Sequence, residues 1–377
     1  MDILSEFNNI VNSPHQFAMD WKKKTGGKVM GYICTNLPEE LMYAAGTLPV
    51  RLLGTNEPED VTKPYIFAAS FCPFCRDCFA QALQGKYDYI DGVSFALVCT
   101  HARQIFEGWK KHMPIQYTYQ LHLPNLQNNY SKAYITGEME DFKLSLEEWT
   151  GKQITTQKID KAIELYNTNR RLMASVYELM KADVPPITEA EVAEISLSGM
   201  LIDKETHNGL LKEALKELPK RKNASNTREP RLMLLGSVNN NIEFIKFIDS
   251  LGGRVVIDDY CTSSRYYQAD VIPEENRMAA LAGRTIRKPP CPMKDLPDRW
   301  RIPHILKLAN EYKVKGVIYT IQRLCDSHGL DYIAIEAKLK EKGIPMLKLE
   351  MDLGVPFGQF RTRIEAFLEM IEASSQL

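Results

Sequence analysis

The chain has 377 residues, 44% of them apolar and 25% charged, with Lys+Arg at 47 and Asp+Glu at 48. That is the profile of a folded protein long enough for two ordinary domains, and its near-zero net charge excludes a basic surface that recruits nucleic acid or anionic lipid. No apolar run approaches the roughly 20 residues of a membrane helix, and acids stand in "MDILSEFNNIVNSPHQF" where a secretory leader has bases, so a cytoplasmic location is expected.

Residues 1–25 read as one amphipathic helix stopped by the glycine pair of "KKKTGGK". "KVMGYIC" follows as a short buried strand. "LPEELMYAAG" is a compact helix with Pro38 in its first turn, Glu39 and Glu40 at its positive end and Gly46 as its stop. "LPVRLLG" and "YIFAASF" read as strands, as do "YIDGVSFALV" and "IQYTYQLHL" on either side of the helix "HARQIFEGWKKH". Short apolar runs alternating with helices predict parallel strands in an α/β layer. Beyond residue 140 the pattern turns helical, through "KIDKAIELYNTNRRLMASVYELM" and "HNGLLKEALKEL", to the polar linker "PKRKNASNTREP", whose bases are read as solvated. Strands return with "RLMLLGS", "RVVIDD", "VKGVIYTI" and "IPMLKLEMD", separated by helices and closed by "FRTRIEAFLEMIE". The expected fold is two flavodoxin-like parallel-sheet α/β domains, residues 1–140 and 226–377, with a helical segment over 141–225.

Eight cysteines are too few for a disulfide framework in a chain this long, and in a reducing compartment clustered thiols bind metal or do redox work. Cys99 ends the apolar run "GVSFALVC" ahead of a helix. Cys325 lies just past "GVIYTIQRLC", ahead of another. Cys72 follows "YIFAASF" and precedes Pro73, which fits a first helical turn. All three are thus expected at strand-to-helix turns, on the carboxyl edge where open parallel sheets gather ligands. There the helix dipole and unpaired N–H groups favour a thiolate. Any single cysteine is more simply a buried small residue, but three at equivalent positions favour a site. If Pro73 opens a helix, Cys75 can reach a group held at its mouth, whereas Cys78 lies a turn deeper and packs in the core. Cys34, Cys261 and Cys291 lack the full pattern and are read as packing. One cysteine cluster rather than two separated knuckles disfavours structural zinc, and soft thiolates with few imidazoles favour iron–sulfur. Three thiolates on a four-iron cube would leave one iron for another ligand.

The segments "GYICTNLPEELMYAAGTLPVRLLG", "FCPFCRDC", "YDYIDGV…VCTHARQIFEGWK", "GGRVVIDDYC" and "QRLCDSHGLDY…KGIPMLKLEMD…GQFRTRIEAFLEM" together resemble the benzoyl-CoA reductase and 2-hydroxyacyl-CoA dehydratase family. Within it, the short length and the triple-cysteine segment are most similar to the smaller C-type, or gamma, subunits of ATP-dependent benzoyl-CoA reductases. The resemblance implies a 4Fe-4S cluster on Cys72, Cys99 and Cys325, and a homologous larger B-type subunit holding a second cluster. It also implies separate ATP-hydrolysing, electron-activating subunits, with ferredoxin as donor. The reaction implied is dearomatisation of an aryl-CoA substrate, benzoyl-CoA, to a cyclohexadiene-carbonyl-CoA. Two alternatives are the small subunit of a radical 2-hydroxyacyl-CoA dehydratase and a non-catalytic relay or scaffold subunit of the same complex. The absence of G-x-x-x-x-G-K-[ST] agrees with ATP hydrolysis elsewhere. The crowding of Cys75 and Cys78 beside Cys72 departs from the family pattern and leaves the fourth iron's ligand open, with Cys75 as its candidate.

Position nominates further groups. His101, two residues past Cys99, and His328, three past Cys325, are candidate proton donors, each weighed against an ordinary structural histidine. Gln322 in "TIQRLC" shares the strand end. Arg361 and Arg363 in "GQFRTR" are candidates to hold a CoA phosphate or the partner subunit, against the plainer expectation that they pair with Glu350 and Asp352.

Overall fold

The computed structural model describes residues 2–55, 60–67, 70–126, 128–221, 229–295 and 298–375. In the first third lie α1 (Ile3–Asn12), α2 (Gln16–Thr25), β1 (Lys28–Tyr32), α3 (Glu39–Ala44), β2 (Thr47–Arg51), α4 (Pro73–Leu83), β3 (Gly92–Leu97), α5 (Thr100–His112) and β4 (Tyr117–His122). A helical stretch follows: α6 (Asn129–Thr150), α7 (Thr156–Leu179), α8 (Glu189–Ser198) and α9 (Lys204–Glu217). The last third holds β5 (Arg231–Gly236), α10 (Ile242–Ser250), β6 (Arg254–Asp258), α11 (Arg277–Arg287), α12 (Arg301–Glu311), β7 (Gly316–Gln322), α13 (Asp326–Glu341), β8 (Met346–Met351) and α14 (Phe357–Ser375).

The two sheets are all-parallel and follow the same plan: β2-β1-β3-β4 and β6-β5-β7-β8. In each, the chain starts in an inner strand, steps to one side, then returns and continues on the other, so a topological switch point lies between β1 and β3 and another between β5 and β7. A crevice at the carboxyl end of such a point is the usual ligand position in this kind of sheet. Strands β1, β2, β5 and β7 are buried almost throughout, as expected of sheets covered by helices on both faces, whereas the edge strands β4 and β8 are mostly half-buried. Phe79 and Trp109 fill one face of the first sheet, and Phe142 with Leu281 the other. Around the second sheet, Met173 and Ile195 of the central helices cover one face, Phe244 and Ile364 the opposite one. The central helices therefore belong to both cores. The boundary expected at residue 140 falls inside the continuous helix α6.

Two local expectations need correction. The N-terminal helix is two helices, because Pro14 offers no N–H to continue the ladder; α1 ends at Asn12 and α2 restarts at Gln16. "YIFAASF" forms no strand: residues 63–66 are turns, and the chain reaches Cys72 through a long loop after β2. Ala68 and Ala69 of that stretch, and residues 222–228 of the linker, lie outside the described residues.

Candidate metal centre

Cys72, Cys99 and Cys325 each occupy the N-cap of a helix, α4, α5 and α13 respectively. Cys99 and Cys325 follow β3 and β7, the equivalent strands of the two sheets. Cys72 comes from the loop after β2. The carboxyl edges of the sheets face each other: Asn240, in the loop after β5, donates to the Gly54 carbonyl, in the loop after β2, at 2.7 Å. Within the first sheet, the backbone N–H of Cys72 donates to Nδ1 of His101 at 2.7 Å, tying the mouth of α4 to that of α5.

The thiols feel one another electrostatically. Burial raises the pKa of Cys325, and the charges of Cys72, Cys99 and Cys291 raise it further. Cys99 is pushed up to about 11, first by burial and then by Cys72 and Cys291, although its sulfur accepts from the Ala102 N–H at 3.4 Å. Cys72 moves the other way: the Cys75 thiol donates to it, His101 bonds to it and the Phe74 and Cys75 N–H groups at the start of α4 favour its thiolate, against burial. Cys75 is correspondingly raised by that same bond and by burial. Buried thiols that crowd one another, as Cys99 and Cys325 do, are destabilised as thiolates and relieved by a cationic core, which is the chemistry of a soft-metal donor set. Among the described residues no group of three or more His, Cys, Asp or Glu side chains is close enough to chelate a single ion.

The remaining nominated residues are distributed unevenly. His101 is in the group; a hydrogen bond with the Cys72 side chain and the charges of Cys72 and Asp326 raise its pKa against partial burial. His328 is buried behind Cys325, its Nδ1 3.1 Å from the Tyr319 hydroxyl, which itself donates to the His328 carbonyl. Burial, then the charges of Arg301 and Arg265, drive its pKa far down, so its ring is neutral. Gln322 ends β7, and its amide donates to the Val238 carbonyl at 3.2 Å. Arg361 and Arg363 lie on α14, away from the thiols. Their partners are not Glu350 and Asp352: Arg361 pairs with Glu365 and stacks over Phe247, Arg363 donates to the Lys348 carbonyl, and Asp352 pairs with Arg323. Cys78 is fully buried in the core beside Phe79, as expected.

Three features had no local signal. Cys291 joins the thiol group from a proline-rich turn. Arg301, wholly buried, pairs with Asp259 at 2.8 Å and Asp331 at 2.9 Å, and so clamps the start of α13, which carries Cys325, to the end of β6. Arg51, at the end of β2, lines a cavity of about 1100 Å³ between the sheet edges together with Gln81, Asn240 and Phe247. Its Nε and Nη1 are buried without a hydrogen-bond partner. The pairings of "RVVIDDYC" with distant arginines could have been suspected only from the two acids placed at a strand end.

Fold and site together define a class: a doubled, parallel-sheet α/β chain with thiols at helix N-termini in both halves. The chain belongs to the 2-hydroxyglutaryl-CoA dehydratase, D-component family, whose profile matches residues 34–371. It is 26% identical to the (R)-phenyllactyl-CoA dehydratase beta subunit of Clostridium sporogenes, over 97% of this chain and 98% of that one. It is 26% identical to the C-type subunit of the benzoyl-CoA reductase of Thauera aromatica, over 88% of both chains. The beta subunit of the (R)-2-hydroxyglutaryl-CoA dehydratase of Acidaminococcus fermentans is also 26% identical, over 98% of this chain and 99% of that one. Among solved structures, a GDP complex of SsGBP matches at a TM-score of 0.25 and 9% identity, covering 92% of this chain and 99% of that one. That likeness is too slight to carry an argument.

Proposed function

We propose that this chain is the iron–sulfur subunit of a two-subunit enzyme that delivers a low-potential electron to a CoA thioester, with Cys72, Cys99 and Cys325 holding a 4Fe-4S cluster. One observation carries the reading: thiols remote in sequence, from both sheets, lie close enough for their charges to act on one another. When bound, such a cluster passes single electrons and offers a Lewis-acidic iron at any corner the protein leaves free. The chain's own residues do the rest. Cys72 is presented as a thiolate by the mouth of α4, and His101 fixes that mouth through the Cys72 N–H. Phe71 and Phe74 border Cys72 and limit water around it. His101, its proton affinity raised by its surroundings, is the group placed to move a proton near the site. Neutral, tied-back His328 supports the start of α13 instead. Arg51 in the cavity and Arg361 over Phe247 offer positive charge to the anionic groups of a CoA thioester.

Dehydration of a 2-hydroxyacyl-CoA is the reaction supported by the family profile and by the relatives from Clostridium sporogenes and Acidaminococcus fermentans. Reduction of an aryl-CoA such as benzoyl-CoA is the second reading, supported by the relative from Thauera aromatica at equal identity. Both require a homologous larger subunit with its own cluster, and ATP-hydrolysing activators fed by ferredoxin. The complex, purified without oxygen and supplied with activator, ATP and reductant, is to be offered each thioester in turn. Turnover of the hydroxy compound without net electron consumption supports the dehydratase. Stoichiometric electron uptake with benzoyl-CoA supports the reductase. Colourless, iron-free protein would overturn both.

A further inference from the structure

We propose that the cavity lined by Arg51 is a binding site for an organic anion, a single negatively charged head on an apolar body. The proposal extends the role given above to Arg51, but it stands on the cavity itself and holds with or without a cluster.

Arg51 ends β2, and its backbone N–H donates to the Met200 carbonyl at 2.9 Å, so the sheet and the central helices together fix where its side chain begins. The residue is 2% exposed. Other buried arginines are satisfied by the fold: Arg170 by Glu40 and Asn167, Arg231 by the carbonyls of Met180, Ala182 and Tyr312, Arg284 by those of Tyr266 and Ala269. Arg51 is not. Among the described residues neither its Nε nor its Nη1 has a hydrogen-bond partner, and no carboxylate pairs with it. What it has is the face of Tyr32, with the ring centroid 5.6 Å from the guanidinium carbon. A guanidinium removed from water without a partner is strongly unfavourable, and an anion arriving in the cavity relieves that penalty.

The rest of the lining says what the anion carries. Its other polar side chains are already engaged. Gln81 donates to the Leu53 carbonyl at 2.7 Å and the Tyr87 hydroxyl to the same carbonyl at 3.0 Å, while Asn240 is held by Gly54 and Glu243 by Lys246. Leu53, Leu197, Leu201, Phe247, Val355 and Phe357 supply apolar wall, the two phenylalanine rings packing edge to face with centroids 5.0 Å apart. One unanswered cation in such a wall suits one anionic head, either a carboxylate, whose planar edge matches the guanidinium fork, or a phosphate ester. Exposed Lys86 adds positive charge on the solvent side. At about 1100 Å³ the space holds a body as large as ordinary ligands present.

The test uses the complex with its partner subunit, isolated without oxygen, as wild type and as the Arg51→Gln and Lys86→Glu variants. Phenylpropionate, its neutral counterpart phenylpropanol, and coenzyme A are titrated by calorimetry, and melting temperatures are read with and without each. The part of the binding that depends on Arg51 isolates this chain's site from any in the partner. Phenylpropionate is expected to bind wild type at least about tenfold more tightly than phenylpropanol does, and to lose that margin in Arg51→Gln. Lys86→Glu, on the surface, should weaken it about threefold. Without ligand, Arg51→Gln is expected to melt no lower than wild type, because it removes an unpaired buried charge; an arginine with a purely structural role would give the reverse. Coenzyme A that displaces the acid assigns the head to a phosphate of the thioester, and an acid that stays bound assigns it to a free carboxylate; either result keeps the site. The proposal is wrong if neither the acid nor coenzyme A binds in a way that depends on Arg51, if phenylpropanol binds as tightly as the acid, or if unliganded Arg51→Gln melts well below wild type. Iron content of the same samples tests the cluster reading separately, and Arg51→Gln is expected to keep it.

Discussion

Arg301 shows how one residue can hold a site it never touches. Its guanidinium, fully buried, faces Asp259 and Asp331, each also fully buried. Removing one partner from such a group leaves buried charge uncompensated, at a cost of about 3–5 kcal/mol. Arg301→Met should therefore lower stability by about that amount in a denaturant titration, and should lower iron occupancy by releasing the start of α13. A second buried group makes a pH prediction. His207 receives a hydrogen bond from Asn169 at Nδ1 and donates from Nε2 to the Ile195 carbonyl at 2.9 Å, so it is held neutral. Burial, then the charge of Lys204, lowers its pKa from 6.5 to about 3. As pH falls below 6.5, the unfolded chain takes up this proton and the folded chain does not, so stability is lost through that window. The linkage is about 1.4 kcal/mol per pH unit, hence roughly 2 kcal/mol between pH 6.5 and 5. Urea midpoints at pH 7 and pH 5 check it: His207→Gln should be less stable at pH 7 but lose less on acidification.

At the scale of elements, strand ends matter more than strands. Gly236 closes β5 with φ 130°, and a Cβ there would stand 1.7 Å from the Thr320 carbonyl of β7. Gly236→Ala should cost about 3 kcal/mol or more by prising β5 from β7, two residues before Gln322. Thermal unfolding measures it. The positions of Cys99 and Cys325 were legible because an apolar run followed by a helix opening is a local pattern. That of Cys72 was legible only in part, since Pro73 marks the helix but the apolar "YIFAASF" turns instead of extending. Cys291 was illegible: a proline-rich turn has no periodicity, and Lys288 and Lys294 place it through carbonyls far away in sequence. The same reason hid Arg301, whose two partners lie on separate elements.

For the molecule as a whole, the doubled α/β plan was readable from the recurrence of strand and helix, and the sharing of the central helices between two cores was not, because it depends on which faces meet. No helix among the described residues is long and apolar enough to cross a membrane. Yet α13 exposes Leu330 and Ile333 on one face, 67% and 66% accessible, just beyond Cys325. Apolar side chains of this size in open water beside the proposed cluster are expected to be covered in the proposed two-subunit complex. Leu330→Glu with Ile333→Glu should leave the isolated chain's thermal stability nearly unchanged while reducing co-purification of the larger subunit at least about tenfold, a penalty of roughly 1.4 kcal/mol.

Of the three proposed ligands, Cys72 and Cys99 come from the first half of the chain and Cys325 from the second. Iron bound there would act as a clasp across the crevice, adding to the central helices and to direct bonds such as Asn240 to the Gly54 carbonyl that already join the halves. Chelation should then do more than bleach the protein. Small-angle scattering should record a larger radius of gyration, and limited proteolysis should open the loops flanking the crevice, while far-ultraviolet dichroism stays nearly constant. Loss of colour with no change in dimensions would mean that the halves keep their embrace without the metal.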